Sequence, residues 1–458
     1  MNKRIHYYCL VLLAVMWLLV SSGRVRAEWK AGVAKQKITP AHSMWLAGYG
    51  HRTHPSTGVL NDLHAGCLVL EDDHGSRVAF VTLDLVGISP DVADPIFAEL
   101  EKQHGLPRSR VVLACSHTHS GPVVGHNLRT LHYDLLSADQ QHLVDKYAES
   151  LKPAVVSLVG RAVKSLAPCA VSYGQGSASF AANRRNNKEP EVPRLQEAGL
   201  LVGPADHDVP VLKVTDPLGK LRCVLFGYAC HATVLDGYEW SSDYPGFAQS
   251  ELEAAHRGAT ALFVAGCGAD QNPLPRRKVE LAKQYGRDLA AAVDMVLAKD
   301  LRPISGPIKV GSTQVDLALA STPDRATLEQ LARSDDRYIA ARARLYLDHL
   351  AAGKFIPNTY SYPIRVWKLG DEFTFVSLAG EVVVEYAIKI KQDLGRERTF
   401  VSGYGNDVMA YIPSRRVLFE GGYEGGGAMV YYSLPSPWAP TIEGRILTGY
   451  RAALSDSK

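Results

Sequence analysis

Between Cys67 and Val264 the chain breaks into short apolar runs, each too brief for an independent helix. They are Cys67-Leu70, Val78-Leu83, Val111-Ala114, Val209-Val214, Cys223-Tyr228 and Ala261-Val264. Longer stretches of helical periodicity lie among them, at Ser89-Gln103, Gln141-Ala162, Pro245-Ala255 and Glu280-Leu297. Runs of this length bounded by turn residues read as strands, and their alternation with helices predicts an α/β fold with a mixed or mostly parallel sheet. A later group adds strands near Ile308-Val315, Pro363-Lys368 and Glu372-Ser377. Helices are expected over Asp324-Ala332, Asp336-Ala352 and Glu381-Leu394. No repeat, charge block or flexible linker interrupts residues 28–458, so one composite domain is expected there.

The amino terminus has a different character. Lys3 and Arg4 precede an apolar stretch from Tyr7 to Val20, followed by Ser21-Ser22-Gly23 and Val25-Arg26-Ala27. That order predicts a secretory signal peptide over residues 1–27, with an uncleaved anchor as the alternative. The protein is expected to be exported, to the periplasm or outside the cell, with no membrane span after the signal. The formal charge of +3 includes four basic residues of that segment. Without them the balance is near neutral, which excludes the basic excess that nucleic-acid binding needs. Cys67, Cys115, Cys169, Cys223, Cys230 and Cys267 show no CxxC spacing and mostly lie in apolar runs, so buried free thiols are expected.

Chemistry collects just after the apolar runs, where open α/β sheets gather their binding groups. Val111-Cys115 runs into Ser116-His117-Thr-His119-Ser-Gly-Pro122. On a strand, residues two apart share a face, so both imidazoles are expected on one side. Cys223-Cys230 runs into His231, followed by Ser242-Asp243-Tyr-Pro-Gly246. Ala261-Val264 delivers Gly266-Cys-Gly-Ala-Asp270-Gln-Asn272-Pro273. Glu381 stands at the head of an apolar helix, where a carboxylate commonly complements the helix dipole. Tyr404, Tyr411 and Tyr423 sit in glycine-rich loops. Each signal alone also has a bland reading, as turn formers or packed rings.

Taken in order, these segments resemble the neutral/alkaline non-lysosomal ceramidase family, zinc amidases that hydrolyse the N-acyl bond of sphingolipids. The resemblance spans most of residues 30–450. It includes Gly32-Val-Ala-Lys-Gln-Lys-Ile-Thr-Pro40, Ala47-Gly-Tyr-Gly50, Val81-Thr-Leu-Asp-Leu-Val-Gly87, Ser116-Pro122, Asn183-Arg184, His231-Ala-Thr, Ala379-Gly-Glu381 and two tyrosines twelve residues apart. It implies one Zn2+ per chain held by His117, His231, Glu381 and Tyr411, the first tyrosine of the pair. It places His119, Arg184 and Tyr423 around the scissile amide. Asp84, Asp243 and Asp270 are expected to support the histidines from behind. Two residues differ from the family pattern: His64 replaces an arginine, and Asn272 stands where the family carries a serine. An amide side chain is no nucleophile but can hydrogen-bond an oxyanion. The immunoglobulin-like carboxy-terminal domain of longer members is not expected.

The substrate class implied is a small or lipid-like N-acyl amide. Alternatives are an ester or amide on a sugar or cell-envelope component, a catalytically silent binding homologue, or structural histidines.

Overall fold

The computed structural model describes residues 29–457. The expected signal peptide lies outside them. Among the described residues no helix is long and apolar enough to cross a membrane.

The apolar runs form a large twisted sheet. Its main strands are β1 (Trp29–Lys37), β2 (His64–Glu71), β3 (Arg77–Leu83), β4 (Val111–Cys115), β5 (Ala167–Ser177), β6 (Asp208–Thr215), β7 (Leu221–Tyr228) and β8 (Thr260–Ala265). The spatial order is β8-β7-β6-β5-β1-β2-β3-β4. The sheet is mixed as expected, but mostly antiparallel. Tight hairpins cause this: Glu71 pairs with Arg77 across one turn and Thr215 with Leu221 across another. In the first, Asp72 caps the turn by accepting from the backbone N–H groups of His74 and Ser76. Only the two outermost pairs, β3–β4 and β7–β8, are parallel. Those edges are where the histidines and the Gly266–Asn272 loop emerge.

A second sheet, β9 (Ile308–Ala318), β10 (Thr359–Leu369), β11 (Phe373–Leu378) and β12 (Thr399–Ser402), packs face to face on the first. Period-two alternation divides each buried strand between two cores. Phe80, Val112, Ala114, Leu225 and Leu262 face the second sheet, meeting Trp367, Phe375 and Phe400. Their neighbours Val81, Leu113, Phe226 and Phe263 face the helices instead.

Helices cover both outer faces. They are α1 (Pro90–His104), α2 (Ala138–Lys164), α3 (Asp243–Ala255) and α4 (Val279–Leu297) on the first sheet, and α7 (Val384–Leu394) and α8 (Ile442–Asp456) on the second, while α5 (Arg325–Leu331) and α6 (Arg337–Ala351) pack on each other and on the loop at Ser433-Leu434. The result is helix, sheet, sheet, helix. The helix α8 lies so close to the second sheet that a Cβ at Gly449 would collide with Val315, and one at Gly311 with the carbonyl of Ala453. Glycine on both surfaces permits that approach. All six described cysteines are buried free thiols, as expected.

At one end of the strands the two sheets are tied by short bridges, Ala114 to Gly405 and Gly266 to Ser402. Loops from both sheets therefore converge there.

Candidate active site

Strand β4 ends at Cys115, two residues before His117, which has φ of 61°. The expected shared strand face is therefore not what joins the two imidazoles. A sharp turn beyond the strand does, with His117 in the left-handed region that costs a non-glycine residue about 1–3 kcal/mol. Tyr404, itself at φ of 54°, stacks its ring on His117 at 4.3 Å. The strain sits where side chains must be aimed.

Glu381 is also placed differently from its sequence reading. It precedes helix α7 and forms a short parallel bridge with Tyr411, its N–H bonding to the carbonyl of Ala410 at 2.8 Å. Buried to 3% exposure, it points into the convergence of loops and complements no helix dipole.

The four expected ligands come together. Nε2 of His117 and Nε2 of His231 each lie 3.1 Å from the same oxygen, Oε2 of Glu381. The Tyr411 hydroxyl lies 3.3 Å from His231 Nε2. The Nδ1 atoms of the two histidines lie 2.6 Å from the Val86 carbonyl and 2.8 Å from the Gly268 carbonyl. A carbonyl can only accept, so each neutral ring carries its proton on Nδ1 and turns a lone pair at Nε2 toward the carboxylate. Burial, followed by the nearby Arg184 charge, pushes the His231 pKa down to about 4, so that ring is neutral at ordinary pH. The buried Glu381 carboxylate presents one oxygen to both Nε2 atoms. Its second oxygen accepts from the hydroxyl of Tyr432.

Two lone pairs and a carboxylate oxygen facing one another in a dry site repel unless a cation lies among them. Tetrahedral ligands at about 2.0–2.1 Å from an ion stand about 3.3 Å apart, close to the separations found. His119 joins the group: its Nε2 is 3.1 Å from that of His117, and ring nitrogens of His117, His119 and His231 all fall within 4.8 Å of one another. The cluster could hold a metal ion. Its orienting partners are the Val86 and Gly268 carbonyls, with no carboxylate among them.

The three aspartates do other work. Asp84 accepts from the backbone of His64 at 2.9 Å and fixes the start of β2. Asp243 accepts from the N–H groups of Leu235 and Tyr244. Neither hydrogen-bonds a histidine ring of the cluster. Burial pushes both up to about 6. Asp270 binds the N–H of Val384 at 2.8 Å and the Asn183 amide at 3.1 Å, while its own carbonyl accepts from Arg184 N–H. It thus ties together the loops that carry Glu381 and Arg184.

Above the cluster opens a cavity of about 610 Å³ lined by His119, Arg184, Asn272, Tyr411 and Tyr423, among others. Arg184 organises it. The guanidinium donates to Tyr411 Oη at 3.1 Å, Asn272 Oδ1 at 3.2 Å and Glu424 Oε1 at 2.7 Å. Burial works against its charge, but Tyr411 and Glu424 hold the pKa above the ordinary value. Tyr423, 47% exposed, sets its ring 5.2 Å from that of Tyr411. His119 is wedged beneath Gly48, where a Cβ would collide with the imidazole, and Tyr49 meets it edge-on at 4.8 Å. Burial drives the His119 pKa well down. All the candidate catalytic residues therefore share one cavity.

A sequence model of the neutral/alkaline non-lysosomal ceramidases, amino-terminal part, matches residues 29–273, more than half of the chain. The chain belongs to this family. The neutral ceramidase of Pseudomonas aeruginosa is 26% identical over 515 aligned residues, covering 96% of this chain and 74% of that protein. The neutral ceramidase of Drosophila melanogaster is 31% identical over 129 residues, covering 28% of this chain and 18% of that one. A crystal structure of the Pseudomonas aeruginosa ceramidase superposes with a TM-score of 0.70 at 18% identity, over 94% of this chain and 75% of that one. The α/β architecture is thus that of the ceramidase, and the chain is a ceramidase-like hydrolase.

Sequence reasoning missed three residues of the site. Tyr432 hydrogen-bonds Glu381, Glu424 anchors Arg184, and Arg185 meets the other oxygen of Glu424 at 2.6 Å. Glu424 follows Tyr423 directly, but nothing in a glycine-rich run marks a carboxylate as the partner of an arginine 240 positions away.

Proposed function

We propose that this ceramidase-family chain is a zinc-dependent amidase, exported from the cell, that hydrolyses the N-acyl bond of a sphingolipid-like substrate with water. The supporting observation is the convergence of two imidazole lone pairs on one oxygen of Glu381. Their orientation is fixed by backbone carbonyls that leave no proton at Nε2. Nitrogen, carboxylate and phenol donors at tetrahedral spacing suit zinc.

When bound, such an ion polarises the amide carbonyl and lowers the pKa of water from about 16 toward about 7. The chain supplies the rest. Arg184 is positively charged and held by Glu424, so it presents a fixed cation to the oxyanion that develops on the amide. Asn272 turns its carbonyl oxygen to Arg184, which frees its NH2 for the same oxyanion. Tyr423 stands over the cavity as a further hydroxyl donor. His119, neutral and on the cavity side of the cluster, takes a proton at Nε2 and returns it to the departing amine.

A second reading keeps the cluster and changes the substrate to an acylated sugar or cell-envelope component. The polar cavity lining, where Arg184, Arg185 and Arg276 pair with Glu424, Glu420 and Glu189, favours it. The two readings separate in one assay. Purified protein is chelated, reloaded with zinc and offered N-acyl-sphingosines beside acetylated sugars. Zinc-restored release of fatty acid from the former supports the amidase; release of acetate alone supports the second reading.

A further inference from the structure

The two oxygens of Glu381 are treated differently. Oε2 faces both imidazole Nε2 atoms and, among the described residues, accepts no hydrogen bond. Oε1 accepts one, from the hydroxyl of Tyr432. Tyr432 is buried and lines a separate cavity of about 240 Å³, not the catalytic one. Whatever it contributes to the site therefore passes through Glu381. The loop that carries it is braced on both sides of the ring. The Val430 carbonyl accepts from the Thr130 hydroxyl, the Ser433 carbonyl from the Tyr346 hydroxyl at 2.6 Å, and the Leu434 carbonyl from the Arg342 guanidinium at 3.1 Å. Tyr431 meets the ring of Tyr338 edge-on at 5.1 Å. Tyr338, Arg342 and Tyr346 all lie on α6.

We infer that Tyr432 is a positioning residue that keeps Glu381 a one-oxygen metal ligand, and that α6 is the brace that aims it. The inference rests on the zinc reading above. A carboxylate with both oxygens free can turn to hold a cation with the pair. Turning Oε1 to the ion here would strip a buried hydroxyl of its partner, which is costly. Ligation through Oε2 alone keeps the number of ligands low, as zinc prefers. Two-oxygen ligation suits ions that take more oxygen ligands, such as Mn2+ or Ca2+. Tyr432 thus acts on which ion the site prefers as well as on how tightly it is held.

The test loads the full chain with Zn2+, Mn2+ or Co2+ in turn. It is compared with Tyr432→Phe, which keeps the ring and removes the hydroxyl, and with Tyr346→Phe, which removes one brace. Competition with a chelator should show zinc held about 10–100-fold more weakly by Tyr432→Phe. A several-fold loss is expected for Tyr346→Phe. The preference for zinc over manganese should narrow in the same order. The visible bands of the cobalt-loaded Tyr432→Phe chain should weaken as a second carboxylate oxygen joins the ion. Wild-type zinc affinity in Tyr432→Phe overturns the inference. So does a weaker affinity with the cobalt bands and the zinc preference unchanged, which is what a merely structural role would give. A crystal structure of the zinc-loaded wild type needs no variant to fold. Oε2 alone on the ion, with Tyr432 on Oε1, supports the inference, and both oxygens on the ion overturn it. A wild-type chain that takes up no metal overturns the zinc reading and this inference together, whereas the other adverse results leave the zinc reading standing.

Discussion

The floor and the mouth of the site are built on different principles. On the floor, His117, His231, Glu381 and Tyr411 are each at most 4% exposed and come from loops that the two sheets bring together. Both imidazoles there are fixed by backbone carbonyls, Glu381 by the Tyr432 hydroxyl and Tyr411 by the Arg184 guanidinium. At the mouth, Arg184, Glu424, Asn272 and Tyr423 hold one another, and Tyr423 reaches solvent. In the proposed function the floor would grip an ion and the mouth would meet the substrate. Damage to the two should look different.

The largest effect is expected on the floor. Glu381→Ala removes the charge on which both imidazoles converge, and His231→Ala removes one of those imidazoles. Each should abolish metal binding and activity together, as read by elemental analysis and turnover on one preparation. Full metal occupancy in both would refute the assignment. At the mouth, Arg184→Met should lower kcat about 10²–10³-fold, equivalent to about 2.7–4 kcal/mol, with the metal still bound. A smaller loss of about tenfold is expected for Asn272→Ala, again with metal retained; an unchanged rate would remove Asn272 from the reaction.

Acid sharpens the contrast further. Because burial holds the His231 pKa down to about 4, its Nε2 lone pair stays available at pH 5, so protonation of this ring should not cost the site its metal until the pH nears 4. Metal content after equilibration across that range checks this. The smallest effect concerns stability. Asp243 titrates near 6 in the fold, above its ordinary 3.8, so its contribution is fully present below about pH 4 and is lost as pH rises through 6. Asp243→Asn should remove up to about 3 kcal/mol of that pH dependence, from about 1.4 kcal/mol per pKa unit, in denaturant titrations at pH 4 and pH 7. An unaltered slope would show that the group titrates normally.

The floor was legible chiefly through the family resemblance, which implied all four residues; the apolar runs by themselves pointed only to His117 and His231. What the sequence could not show was how each residue is aimed. The His117–His119 spacing suggests a strand face, but the chain leaves β4 at Cys115 and turns through a strained residue. Glu381 looks like a helix-dipole partner, yet it precedes α7 in a bridge to Tyr411 that is set by the second sheet. The mouth was half legible. Arg184 and Tyr423 could be named, but Glu424, Arg185 and Tyr432 act through pairings across hundreds of residues.

In the fold, uninterrupted apolar strands were found, while β1 and β5 were not. Their polar outward positions, such as Lys30 and Gln36 in β1 or Gln175 in β5, break the apolar run. Helix α8 was missed as well, since Gly444 and Gly449 weaken its pattern, and only the contact of Gly449 with β9 explains why a glycine belongs there. Of the two sheets expected, mixed or mostly parallel, the chain builds the mixed one, because two hairpin turns reverse it between neighbouring strands.

Elemental analysis of the full chain beside Glu381→Ala and Arg184→Met, after dialysis against a trace of zinc, tests the central claim most directly. The account predicts one ion per chain in the wild type, one in Arg184→Met and none in Glu381→Ala. Zinc absent from the wild type, or equally present in Glu381→Ala, would contradict it.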